Sequence, residues 1–138
     1  MSEQKRRFLE HPAFQAVLGG PAPTVIAAET VIVGDVRGQG MYVVCGEVHG
    51  NGELEGALIL SATASWHGDL RAHQAIVAGS ILGSIIVKDK LEIGHTAVIR
   101  GRVSARTIAI ATGAIVEGEI EVTSGMPVVS YEEKRQDQ

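Results

Sequence analysis

Val77-Ala78-Gly79-Ser80-Ile81-Leu82-Gly83-Ser84-Ile85 is the stretch on which the fold turns. Val77, Gly79, Ile81, Gly83 and Ile85 are spaced by two, and the aliphatic members are mostly β-branched. That period reads as strand with one buried face. Helical spacing is poor, and each glycine would cost about 1 kcal/mol inside a helix. The same alternation holds at Val44, Gly46 and Val48, at Ile108 and Ile110, and at Val116, Gly118, Ile120 and Val122.

Working outward, a triplet of glycine, a polar residue and an aliphatic recurs. It occurs as Gly34-Asp35-Val36, Gly52-Glu53-Leu54, Gly68-Asp69-Leu70, Gly83-Ser84-Ile85, Gly101-Arg102-Val103 and Gly118-Glu119-Ile120, in steps of 18, 16, 15, 18 and 17 residues. A fixed short period is the mark of a solenoid. Three strands of about five residues with tight corners account for one coil of this length. The coils pair above and below, and inward side chains stack into aliphatic ladders. Prolines fall only at 12, 21, 23 and 127, so none interrupts the repeats. Proline removes a ladder donor and is kept out of continuous sheet. The division is an N-terminal segment 1–23, a solenoid domain 24–126 and a polar tail 127–138, with both termini expected to be flexible.

Composition fits a narrow interior. The chain has 138 residues, 17 of them glycine, and only two Phe, two Tyr and one Trp. A prism filled by Val, Ile, Leu and Ala has little room for rings, so Trp66 and Tyr42 are expected on the outer surface or at a corner. No run of 18 apolar residues spans a membrane, and no signal-peptide pattern opens the chain. One cysteine, Cys45, rules out an intrachain disulfide framework. If Val44 points inward, Cys45 points out; a register slip would reverse them. The net charge of −4 disfavours nucleic acid as a partner. Acidic residues outnumber basic ones eleven to seven over 24–124 and read as a solvated outer face.

Several chemistries are absent from the pattern. No phosphate-binding glycine loop occurs, so neither nucleotide nor any other cofactor is expected. Of the five histidines, His67 and His73 are near in sequence, while His49 and His95 fall on other coils. Solvated surface histidine is the expectation, with no metal site and no catalytic residue. A left-handed hexapeptide-repeat acyltransferase is the enzymatic alternative. Its coils stay close to 18 residues, which the steps of 15 and 16 break.

The runs Thr24-Val25-Ile26, Val31-Ile32-Val33-Gly34-Asp35-Val36, Ala97-Val98-Ile99-Arg100-Gly101-Arg102-Val103 and Gly113-Ala114-Ile115-Val116-Glu117-Gly118-Glu119-Ile120 resemble the bactofilin domain over roughly residues 24–122. The resemblance implies an all-β fold, a single-stranded right-handed parallel β-helix of about six three-sided windings. It also implies a bacterial cytoskeletal scaffold, not an enzyme. Such a scaffold polymerises with itself, without nucleotide, into non-polar filaments. It would lie in the cytoplasm at the inner face of the membrane and position peptidoglycan hydrolases or synthases.

Physical reasoning points the same way. Terminal coils expose unpaired backbone edges that template further pairing. Val25, Ile26, Val31 and Ile32 in the first coil, and Ile115, Val116, Ile120, Val122 and Met126 in or after the last, are the expected polymer contacts. By resemblance, Val116 stands where the family commonly has a bulky aromatic. Lys5, Arg6 and Arg7 followed by Phe8 and Leu9 form a candidate anchor to anionic membrane, and Phe14, Val17 and Leu18 make a second apolar stripe. The non-enzymatic alternative is a solenoid adaptor that does not polymerise.

Overall fold

The computed structural model describes residues 23–132. They form twelve strands and, among the described residues, no helix. Every strand pairing is parallel. The chain winds as a three-sided parallel β-solenoid of about six turns.

The first side stacks β2 (Val31–Val33), β4 (Glu47–His49), β6 (Ser65–His67) and the opening residues of β9 (Ser80–Ile93), β10 (Val98–Ala111) and β11 (Ile115–Val122). The second stacks the starts of β3 (Val36–Val44) and β5 (Gly52–Leu60), then β7 (Leu70–Ala72), the middles of β9 and β10, and the end of β11. The third runs from β1 (Thr24–Ile26) through the ends of β3 and β5, β8 (Gln74–Val77) and the ends of β9 and β10 to β12 (Val129–Tyr131). The segment expected to be a tail thus contributes a strand: β12 pairs with Ala109–Ala111, and the Tyr131 hydroxyl donates to the Ile93 carbonyl at 3.3 Å.

Strand pairing sets the true repeat frame. Gly34, Gly50, Gly68, Gly83, Gly101 and Gly118 form one column at the corner between the first two sides. All six have positive φ, from 136° to 156°. A Cβ on Gly101 would sit 1.6 Å from the Gly83 carbonyl oxygen, and one on Gly118 would sit 1.8 Å from that of Gly101. Backbone passes so close to backbone that only glycine fits. The second coil therefore supplies Gly50, not the Gly52 of the expected triplet. The residues after this column are polar because they bond along the axis. Asp35 Oδ1 accepts from the Asn51 amide at 3.0 Å, Asn51 Oδ1 from the Asp69 amide at 3.0 Å, and Asp69 Oδ1 from the Ser84 hydroxyl at 2.9 Å.

Gly52 instead occupies an inward aliphatic column: Val36, Gly52, Leu70, Ile85, Val103, Ile120. Its missing side chain makes room for Trp66, whose Cζ2 would lie 2.7 Å from a Cβ there. The expectation that Trp66 and Tyr42 lie outside is wrong. Trp66 is fully buried, with its indole N–H donating to the Gly50 carbonyl at 3.0 Å. Tyr42 is also buried, and its hydroxyl fills the space a Gly38 side chain would need. The prism holds a ring wherever a neighbouring inward position is glycine.

The column that holds Trp66 is otherwise aliphatic: Ile32, Val48, Ile81, Ile99 and Val116. Among the described residues no buried side-chain polar atom lacks a partner. At the corners between the third and first sides, Thr63 and Thr96 cap the Cys45 and Ala78 carbonyls at 2.8 and 2.6 Å. Val44 is buried and Cys45 is half-buried at its corner, a free thiol.

Candidate polymer interface

Two ends of the stack are open. At the N-terminal end β1 pairs only with β3, and β2 only with β4; at the C-terminal end β11 and β12 pair only with β10. Each therefore has a second edge that no other described strand pairs with. An eight-residue edge such as Ile115–Val122 is a ready template for another strand.

The inward ladders are cut off at these ends. Along one column Ile85 and Val103 are fully buried, whereas Ile120, the next member, is 41% exposed. Val116 and Val122 extend the columns of buried Ile99 and Ala105 and are only half-buried. At the other end Ile32 extends the column of buried Val48 and is half-buried, while Ile26 is covered. Ile32, Val116, Ile120 and Val122 are thus ladder residues with no further winding over them among the described residues, whereas Ile26 is already buried.

The other expected residues differ. Val25, Val31 and Ile115 pair with the outward-facing Val43, Glu47 and Val98, so their side chains leave the outer wall. Met126 follows β11 and is 62% exposed. Lys5, Arg6, Arg7, Phe8 and Leu9, with Phe14, Val17 and Leu18, lie outside the described residues. The ladder ends also include Val36, Ile110, Ala114 and Val128, each half-buried against the core. Of these, Val36 could have been found from sequence: it opens the column that closes at Ile120.

Charge distinguishes the two ends. The outward face of β11 carries Glu117, Glu119 and Glu121. They accept from Arg100 at 2.9 Å, Arg102 at 3.5 Å and Ser104 at 3.4 Å on the winding beneath. The two arginine pairs are exposed, and each contributes little alone. Together they place a row of carboxylates at the C-terminal rim.

A family model described as bactofilin, polymer-forming cytoskeletal, matches residues 24–121. The chain belongs to the bactofilin family. It is a member of a family of cytoskeletal, polymer-forming proteins, and the solenoid accounts for the match from end to end. Among curated proteins it is similar to bactofilin BacO of Myxococcus xanthus (strain DK1622), 28% identical over 116 residues that cover 84% of this chain and 92% of that protein. No solved structure matches significantly. No helix among the described residues is long and apolar enough to cross a membrane.

Proposed function

We propose that this bactofilin is a cytoplasmic scaffold that joins end to end into filaments without nucleotide, at the inner face of the cell membrane. The supporting observation is the truncated ladder: a column fully buried at Val103 is 41% exposed at Ile120, beside an edge with no partner among the described strands. Joining two ends restores both the apolar burial and the backbone pairing. Full burial of an aliphatic side chain stabilises by roughly 1.5–3 kcal/mol. Several half-buried residues per end, counted from both copies, are enough to offset part of the cost of association.

A like-with-like contact at each end is isologous, and a chain of such contacts has no polarity. Lys5, Arg6 and Arg7 would supply about 1 kcal/mol each toward an anionic surface, with Phe8 and Leu9 inserting beside them. One subunit binds weakly in this scheme, and the filament gains by presenting many copies. A fixed filament on the membrane then gives envelope-modifying proteins a common position.

Negative-stain microscopy of the purified chain without nucleotide tests the assembly. Filaments are expected; monodisperse particles of one 14.5 kDa chain would reject it. Val116→Arg is expected to abolish filaments while the circular dichroism of the β-fold persists, and normal filaments from that variant would exclude the C-terminal contact. Co-sedimentation with anionic liposomes is expected to fall when residues 5–9 are deleted; unchanged binding would rule out the anchor.

A further inference from the structure

We propose that Glu47, His49 and His67 form a binding site for a divalent transition-metal ion of the zinc class, on the outer wall of the second and third windings. Sequence spacing places His49 and His67 eighteen residues apart and suggests no relation between them. Strand pairing changes that. β4 and β6 are neighbours, His49 lies directly opposite His67, and Glu47 opposite Ser65. Neighbouring strands are about 4.8 Å apart, which is close enough to share one ion.

The side chains are oriented for it. The two imidazoles stack with centroids 4.5 Å apart and an interplanar angle of 21°. His49 Nε2 contacts the Glu47 carboxylate, and His67 Nε2 lies 3.1 Å from the Ser65 hydroxyl. Each contact reaches back two residues along its own strand. Both Nε2 atoms therefore lie at the same end of the stack, where the Glu47 carboxylate also sits. The ligand atoms of the three residues all fall within 4.8 Å of one another.

Zinc binds imidazole nitrogen at about 2.0–2.1 Å and carboxylate oxygen at about 2.0–2.2 Å. The side chains of His49 and Glu47 are 39% and 45% exposed, so small rotations can close the set onto an ion. Two imidazoles and one carboxylate are an established donor set for zinc, with a fourth position left to water. A Glu47–His49 ion pair alone would account for those two residues but not for His67 stacking on His49 with its Nε2 at the same end. The site stands on an open outer wall, so it fits a clip between two windings and not a reaction chamber. It lies one strand in from the N-terminal end, with Glu47 opposite Val31 and His49 opposite Val33, and ion binding by a single chain is read separately from filament assembly.

Titration calorimetry of the full chain with zinc chloride, in a buffer that does not chelate, tests the assignment. One saturable site per chain is expected. His49→Ala and His67→Ala should each weaken it by about tenfold or more, and Glu47→Gln should weaken it measurably, whereas His73→Ala and His95→Ala should leave it unchanged. Cobalt(II) chloride gives an independent readout: visible absorption of a low-coordinate site, lost in His67→Ala. Circular dichroism confirms that each variant is folded, and His49→Asn and His67→Asn replace any alanine variant that is not. Absence of saturable binding would overturn the proposal. So would binding retained without His49 and His67, or binding that depends equally on His73 or His95.

Discussion

Trp66 and Gly52 are expected to be energetically coupled, and the coupling can be measured. A Cβ on Gly52 would lie 2.7 Å from Trp66 Cζ2 and 2.8 Å from Leu70 Cδ2. Gly52→Val alone overpacks the second and third windings and should cost about 1–3 kcal/mol. Trp66→Ile alone empties part of that space. Full truncation of a buried tryptophan costs about 3–5 kcal/mol, and isoleucine refills part of it, so roughly 2–3 kcal/mol is expected from packing. The Gly50 carbonyl also loses the indole N–H that bonds it at 3.0 Å, at a further cost of about 1–3 kcal/mol. In the double variant valine extends the column of Val36 and Leu70, isoleucine extends that of Val48 and Ile81, and the clash and cavity cancel. Only the lost hydrogen bond remains. The double variant should therefore be more stable than the sum of the singles by about 3–6 kcal/mol, or roughly 6–24 °C in Tm at this chain length. The assay is thermal melting by circular dichroism, with all four proteins at one concentration, because assembly makes Tm concentration-dependent. Additivity within about 0.5 kcal/mol would refute the view that glycine at 52 exists to seat the ring.

Other outcomes follow from the same geometry. Gly34 and Gly101 share a positive φ, but a Cβ on Gly34 meets nothing within 4 Å while one on Gly101 meets a carbonyl at 1.6 Å. Gly34→Ala should cost about 1–3 kcal/mol from backbone strain, and Gly101→Ala at least about 2 kcal/mol more from the clash; equal melting temperatures would contradict the stacked column. Asp89 accepts from Arg106 at 2.7 and 2.9 Å, and this bond, more than the weaker one from Gln74, holds its carboxyl below the usual aspartate range against the effect of burial. A lowered pKa means that the stabilisation is present above the unfolded value near about 3.9 and fades as pH falls through the folded value. Arg106→Ala should thus reduce the loss of stability on acidification, and an unchanged acid limb in pH-dependent melts would contradict this. If C-terminal ends meet, Glu117, Glu119 and Glu121 face the same row of a second copy; raising salt from about 0.1 M to about 1 M shortens screening from about 10 Å to about 3 Å and should lower the critical concentration for assembly. Sedimentation showing that salt dissolves filaments would exclude that contact.

Much of the solenoid was legible because its cause is local. Period two at Val77–Ile85 and glycines at near-regular steps encode strands and corners directly. The frame was not fully legible. Gly50 and Gly52 are equivalent candidates on the chain, and only the pairing of Val36 with Gly52 shows that the first belongs to the corner and the second to the core. Trp66 was misplaced for the same reason. Its burial depends on an absent side chain fourteen residues upstream, a fact about two windings that neither strand contains alone. The same holds on the outside. His49 and His67 meet because that winding advances the chain by eighteen residues, where the windings on either side advance it by sixteen and fifteen.

The ends of the ladders pose a harder problem for sequence. Val116, Ile120 and Val122 have the composition and alternation of Ile99, Val103 and Ala105, because each set faces inward on the same columns. Nothing in the pattern marks one set as the last. What separates them is that no described winding lies above the last set, and this appears only as exposure: none at Val103, 41% at Ile120. A solenoid whose final winding is written like its interior has no chemical signal to stop. A second copy can supply the missing winding with the same aliphatic columns and backbone spacing. On that reasoning a charge within the last ladder, as in Val116→Arg, should act as an artificial cap. Filament length should then fall as capped subunits are mixed with native ones. A length distribution indifferent to the mixing ratio would show that the ladder ends are not where subunits join.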